Sequence, residues 1–489
     1  MRAERKLDMT TLASICLLAV AGVIPPDVNP WKDAGHPIPQ FVLDRKSPMG
    51  PRNTKEMYRE LAAKFPVPYE KLVWPTEKVL EKTKNARTVH VKDFGWDEKD
   101  ATAIFEKAFR TPAKVVVVDK MSAPWRVTSV SPGNDRVVVF EAGATILGTT
   151  ESQLANSREP LIDLKGCRNV CLVGKGDNYV GRYTEKEQEG RNRNREYGGN
   201  GLGVDCAENI AVKGITFARN GCDGACIGGD RRPSHNIWFE DCVFSHNSRQ
   251  GVSIVSADGV YFRRCRFEFT NALAPKCGLD VEPWLPACNA TANIYLFDCE
   301  FEGNTGGDLA LSTASYWPVT IFLKRCHFLS NDPPSLMITQ RATYPGHHTD
   351  APSDIIFENC AFEGRRGVTP IHFYGGNFFY ITFRGGGVVE HDGRRASVPP
   401  MKFHLNREYR VEADDSPVEL PVLEGALVFD NFKIKGYRDV DRLLEIEETV
   451  KQCTVNSVHG TLVHNGKKKD AARFRYPGEP KETKGQRQK

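Results

Sequence analysis

Residues 236–284 read NIWFEDCVFSHNSRQGVSIVSADGVYFRRCRFEFTNALAPKCGLDVEPW, nearly two copies of one unit. The unit opens Asn236-Ile-Trp-Phe-Glu-Asp-Cys242-Val-Phe244 and returns as Gly259-Val-Tyr-Phe-Arg-Arg-Cys265-Arg-Phe267. It recurs as Asn293-Ile-Tyr-Leu-Phe-Asp-Cys299-Glu-Phe301, Thr320-Ile-Phe-Leu-Lys-Arg-Cys326-His-Phe328 and Asp354-Ile-Ile-Phe-Glu-Asn-Cys360-Ala-Phe362. An earlier copy, Asn209-Ile-Ala-Val-Lys-Gly-Ile215-Thr-Phe217, has Ile in place of Cys. Successive starts lie 27, 23, 34, 27 and 34 residues apart. A unit of this size with variable connections marks a solenoid.

Within the unit the side chains alternate with a period of two. Ile237 and Phe239 fall on one face, Trp238 and Glu240 on the other. Two polar residues then mark a bend, and Cys242 and Phe244 resume the pattern. A third strand follows a loop, at Gly251-Val-Ser-Ile-Val-Ser256 and again at Gly278-Leu-Asp-Val-Glu-Pro283. Three short strands per coil with no helical period between them predict an all-β parallel β-helix, its coils stacked at roughly 4.8 Å.

The 489 residues are 40% hydrophobic, enough for one long core. The net charge of +4 gives no reason to expect a nucleic-acid partner. Residues 1–24 read as a secretory signal: Arg2, Arg5 and Lys6 precede an apolar run that is short for a membrane span, and Ala19-Val20-Ala21 fits a cleavage site. The expectation is a secreted or periplasmic protein with no stable membrane insertion. Residues 25–86 read as a linker or cover with a helix over 54–64, and 87–150 as a cap and first strands. The coils span 151–400, a β-rich segment 401–466, and a disordered basic tail 467–489. Within the coils, 181–200 reads as a solvated loop, with Arg191, Arg193 and Arg195 as a lesser candidate for a basic flap.

Val91-Lys-Asp-Phe-Gly-Trp-Asp97, followed by Asp100-Ala-Thr-Ala-Ile-Phe-Glu-Lys-Ala-Phe109 and the strands Val115–Val118 and Val137–Phe140, resembles the opening of the pectate-lyase-like superfamily. The resemblance runs from Val91 to Gly387. It implies a right-handed parallel β-helix whose first coil is plugged by an N-terminal capping helix, with Ile104, Phe105 and Ala108 on the buried side. A plug has a physical reason, because an open first coil exposes apolar interior and strand edges. The superfamily holds lyases, hydrolases, epimerases and phage tailspikes, so it fixes no reaction.

Fourteen cysteines suggest disulfides at first sight. Five of them, Cys242, Cys265, Cys299, Cys326 and Cys360, share one inward repeat position. Side chains stacked in register point the same way and fit disulfide torsions poorly, so a ladder of buried thiols is expected. Cys277 and Cys288 flank one strand and form a possible pair. No cysteine spacing suggests a metal site.

Polar residues gather on the third strands. With Leu279 and Val281 inward, Asp280 and Glu282 face out, and Asp308 is expected beside them on the next coil. Crowded carboxylates repel, which raises one of their pKa values toward that of a general acid. Arg249 precedes the neighbouring strand. The connections supply Arg231, Trp284, Tyr316, Trp317, Arg341, Tyr344, His347 and His348, and aromatic faces beside polar groups suit sugar rings. The candidate catalytic set is therefore Asp280, Glu282, Asp308 and Arg249, with the loop residues as substrate contacts and a polysaccharide or oligosaccharide as partner. A cofactor-free glycoside hydrolase is the leading reading. The alternatives are a lyase or epimerase on uronic-acid glycans, with Ca²⁺ on the acids, and a non-catalytic glycan-binding scaffold.

Overall fold

A computed structural model describes residues 65–153, 159–189, 198–229, 232–282, 291–312, 319–329, 336–339, 353–364, 368–374, 379–390, 398–405, 425–437, 444–448 and 457–471. The expected coils are present. Ser234–Glu240, Val243–Ser245 and Gln250–Ile254 form the three strands of one coil. Each pairs in parallel with its counterpart in the next coil, Ala257–Arg263, Arg266–Glu268 and Cys277–Val281.

The core consists of register rows. Ile237 lies beside Val260, then Ile294, Ile321, Ile355 and Ile381. Phe244, Phe267, Phe301, Phe328 and Phe362 stack with ring centroids 5.3, 4.7, 4.7 and 4.7 Å apart, close to the strand spacing. The bend between first and second strands sits where the sequence placed it. Asp241, Arg264, Asp298, Arg325 and Asn359 all adopt a left-handed φ of 52–55° there.

The cysteine ladder forms as expected. All five thiols are free and at most 1% exposed, and burial pushes those of Cys242, Cys299 and Cys360 upward. None of the five should react with an alkylating reagent in the folded protein, and all five should react after unfolding. Peptide mapping of the modified residues checks this, and rapid labelling of all five in the native state would refute the ladder.

The plug helix spans Thr102–Phe109, two residues shorter than expected at its start. Phe105, Ala108 and Phe109 are buried, while Ile104 is only half-buried at the rim of the core. Phe105 meets Trp125 edge-on at 5.4 Å. Deleting residues 88–110 is expected to leave Trp125 and the Val115–Val118 strand uncovered and to give aggregated protein in sedimentation. A soluble truncation that unfolds cooperatively would show the plug to be dispensable.

Several boundaries differ from the sequence reading. Residues 65–86 are a packed cover, with a helix at Pro75–Thr83; the helix expected over 54–64 lies outside the described residues. The cover meets a second apolar layer on the outside of the long sheet, where Val137, Cys171, Ala211, Trp238, Tyr261, Tyr295, Phe322 and Ile356 occupy one register row. Trp238 stacks on Tyr261 at 3.7 Å and takes Trp74 edge-on at 5.0 Å. Val67 N donates to Tyr295 Oη at 3.1 Å.

Within the stretch read as a solvated loop, Arg182 is fully buried. Its guanidinium donates to the carbonyls of Gly199, Ser152 and Glu159, and Thr184 caps a short helix, Glu185–Gln188. Arg191, Arg193 and Arg195 lie outside the described residues. The coils continue past Gly387: Met401–Leu405 and Leu444–Glu448 extend the third-strand sheet. Lys467–Asp470, expected to be disordered, pairs antiparallel with Thr461–His464.

Candidate functional site

The strand Gln250–Ile254 lies between Asp223–Gly228 and Cys277–Val281. Ala225, Val252 and Leu279 share a register row in the core, as do Ile227, Ile254 and Val281. The alternate row, Cys226, Ser253 and Asp280, faces outward. The glycines of Asp223-Gly-Ala-Cys, Gln250-Gly-Val-Ser and Cys277-Gly-Leu-Asp set this register. A Cβ on Gly251 would come within 2.3 Å of Gly278 O, so the backbones meet where only glycine fits.

Six side chains close into a network there. Arg249 Nε donates to Asp223 Oδ1 at 3.0 Å, and Arg249 Nη2 reaches Asp223 Oδ2 at 3.2 Å, Ser253 Oγ at 2.9 Å and Glu282 Oε1 at 2.9 Å. Ser253 Oγ donates to Asp223 Oδ2 at 3.0 Å. Gln250 Nε2 donates to Asp280 Oδ2 at 2.8 Å and to Glu282 Oε1 at 3.2 Å. Burial works against the charge on Arg249, but Asp223 and Glu282 outweigh it and hold the guanidinium protonated.

Asp280 faces outward as expected, yet it is only 5% exposed rather than open to solvent. Burial first, and then repulsion from Glu282, push its pKa up to about 8. Asp280 therefore holds a proton near neutrality beside the ion-paired Glu282. Asp280 binds an extra proton in the folded state between an unfolded pKa of about 3.9 and about 8. Its contribution to stability is full below the lower value and is lost as pH rises through the upper one. Relative to Asp280→Asn, the unmodified protein should thus lose stability between pH 5 and 8, by at most about 1.4 kcal/mol per pH unit. Denaturant titrations of both proteins across that range test this. A constant difference would mean that Asp280 is ionised in the fold and is not the acid.

The structure brings together Arg249, Asp280 and Glu282 of the expected set. Asp308 sits elsewhere. Ala310, not Asp308, is in register with Asp280, while Leu279 N donates to Asp308 O at 2.9 Å. Asp308 is buried and accepts from Asn304 Nδ2 at 3.1 Å. Asp308 occupies the position that glycine holds in the three preceding coils. The Cys277–Cys288 pair that the sequence left open is not supported: Cys277 is a free, buried thiol, and Cys288 lies outside the described residues. So do Arg231, Trp284, Tyr316, Trp317, Arg341, Tyr344, His347 and His348.

Asp223 and Gln250 were missed. Aligning the three coils on Gly224, Gly251 and Gly278 puts both at the head of their strands, and that signal was present in the sequence. The outward row continues toward the first coils as Ser253, Cys226, Gly203 and Asp163. Asp163, Gly203 and Cys226 of this row line a cleft of about 500 Å³. Elsewhere among the described residues, His90, Asp119 and Glu141 bring ligand atoms within 4.8 Å of one another. Lys92 Nζ already lies 2.9 Å from Asp119 Oδ1 and supplies the positive charge.

A family model described as a right handed beta helix region matches residues 189–321. The chain is a right-handed parallel β-helix protein. The match falls on the coils read from the repeats and agrees with the expected β-helix. The β-helix is similar to the A-module of a mannuronan C-5 epimerase from Azotobacter vinelandii, at 12% identity and a TM-score of 0.42, covering 75% of this chain and 100% of that one. It is also similar to a hyperthermoactive exopolygalacturonase from Thermotoga maritima, at 10% identity and a TM-score of 0.41, covering 81% and 97%. A surface adhesin of Streptococcus pneumoniae gives 11% identity and a TM-score of 0.46 over 78% and 98%. At these identities the likeness concerns the fold alone. No curated protein matches the β-helix by sequence. No helix among its described residues is long and apolar enough to cross a membrane.

Proposed function

We propose that this β-helix hydrolyses a glycosidic bond of a polysaccharide on the outer face of the third-strand sheet. The observation that carries the reading is the shared donor, Gln250 Nε2, which bridges a carboxyl pushed toward the protonated form, Asp280, and a carboxylate ion-paired to Arg249, Glu282. A carboxyl held toward its protonated form beside an ion-paired carboxylate is the kind of pair that acid-assisted glycoside cleavage needs. Asp280 gives its proton to the leaving oxygen. Glu282, ion-paired to Arg249, faces the sugar carbon, and Asp223 holds that arginine in place.

Two hydrogen bonds from one nitrogen keep the two oxygens within about 6 Å, nearer the roughly 5–5.5 Å of retaining enzymes than the roughly 6.5–9.5 Å of inverting ones. The reading therefore includes direct attack by Glu282. Arg249 lies between Asp223 and Glu282, where a cation shared by those acids would have to sit, which counts against calcium-assisted elimination. The reading also includes export, on the sequence of residues 1–24. Free thiols are compatible with an oxidising compartment when they are as buried as the ladder.

Incubating the purified protein with a panel of neutral and uronic-acid polysaccharides tests the proposal. Hydrolysis adds water to the product mass. Elimination leaves an unsaturated product that absorbs ultraviolet light and would overturn the reading, as would binding with no turnover on any glycan.

A further inference from the structure

The cleft beside the acid pair belongs to the same outward surface. From Asp163 to Asp280 the row climbs four coil steps, roughly 19 Å at the ordinary strand spacing, which is room for several sugar rings. Its lining includes the small residues Gly203 and Cys226, and Gly228 lies open beside them: a Cβ added at Gly228 would meet nothing within 4 Å.

Two residues lining the cleft carry polar atoms without partners. Ser256 lines it, is 1% exposed, and its hydroxyl makes no hydrogen bond. Asp205 Oδ1 is likewise buried and unbonded. A buried polar atom without a partner is costly, and a ligand donor or acceptor offsets that cost.

The charge of the surface limits what can lie on it. Among the described residues, Glu159, Asp163 and Asp205 line the cleft, and Asp223, Asp280 and Glu282 form the acid network on the strands beside it. Among the described residues, the cation lining the cleft is Lys165, and Arg249 is the cation of the acid network. Lys165 Nζ is 3.2 Å from Asp205, and Arg249 bridges Asp223 and Glu282. A chain of uronates would bring one carboxylate per residue against these acids, with both cations already engaged.

We infer that the cleft lined by Asp163, Asp205, Cys226, Gly228 and Ser256 is a glycan-binding subsite for sugars without carboxylate or sulfate groups, and that the enzyme's substrate is such a glycan. The inference rests on the hydrolase reading for the second clause only. Sugar hydroxyls donate to Asp205 Oδ1 and exchange hydrogen bonds with Ser256 Oγ, and the small-residue lining lets a ring approach the sheet.

The test uses the full chain carrying Asp280→Asn, so that binding is read without cleavage. The probes are hexasaccharides of glucan, mannan, xylan and galactan beside those of polygalacturonate and polymannuronate, titrated by calorimetry. At least one neutral probe should bind, and the uronate probes should bind about tenfold or more weakly. Adding Gly228→Leu should weaken the neutral probe by about tenfold or more while leaving the melting transition in place, since the new side chain enters open space. Ser256→Ala should weaken it several-fold with no loss of stability, because the hydroxyl has no partner to lose.

Tighter binding of a uronate probe, neutral binding indifferent to Gly228→Leu, or no bound probe at all would overturn the inference. Turnover by the unmodified protein on the same panel separates the two readings. Asp280-dependent hydrolysis of polymannuronate keeps the hydrolase and sinks the neutral subsite. Neutral binding at the cleft without turnover keeps the subsite and sinks the hydrolase.

Discussion

Asp280→Asn should lower turnover by about a hundred- to ten-thousand-fold, the range that general acid catalysis supplies. The amide keeps the shape of the carboxyl and can still meet Gln250, so the fold should survive. The substitution removes the proton that burial holds on Asp280 near neutrality. Glu282→Gln should give a loss of similar size, and the two need not add, because both act in the same step. Steady-state rates on the glycan identified by the panel, with binding measured alongside, give the answer. Full activity in both variants would remove the reaction from this strand. Rescue of either by Ca²⁺ would favour elimination instead.

Trp238→Ala should destabilise the protein by about 3–5 kcal/mol, the usual result of emptying a buried aromatic site. Trp238 lies outside the solenoid core yet is 1% exposed, held between Tyr261 and Trp74. Arg263, which lies over the Trp74 ring at 4.0 Å and pairs with Glu240, fastens the same seam. Denaturant unfolding measures the change. A loss below about 1 kcal/mol would mean that the 65–86 segment rests on the sheet without supporting it, as exposed contacts do.

The fold was legible because its signal repeats. One Cys–x–Phe step misread in isolation is corrected by the next four, and the bends fall where paired polar residues interrupt the alternation. The cover was harder to read. Trp238, Tyr261, Tyr295 and Phe322 recur at one outward position, and four large apolar groups in register on a face exposed to water announce that something covers it. The partner is a remote, non-repeating segment whose own pattern names no target.

At the site, parity along a strand placed Asp280 and Glu282 on the outer face. Parity says nothing about which residue of the next coil stands alongside. Asp308 was misplaced for that reason, since register follows the backbone contact at Gly278 rather than the in–out alternation. The depth of Asp280 was hidden as well, because it depends on Gln250 and Arg249 closing over the strand.

The acid network draws one segment each from three successive strands, Asp223–Gly228, Gln250–Ile254 and Cys277–Val281, and these are the third to fifth of ten in the described sheet. A stack in which each layer touches only its neighbours melts like a zipper, from its free ends inward. Heat should therefore peel away the last turns of the spiral while the middle still holds its chemistry. Circular dichroism and activity would then fall with separate midpoints, the spectrum first, and truncating the far end by whole turns would cost length well before it cost function.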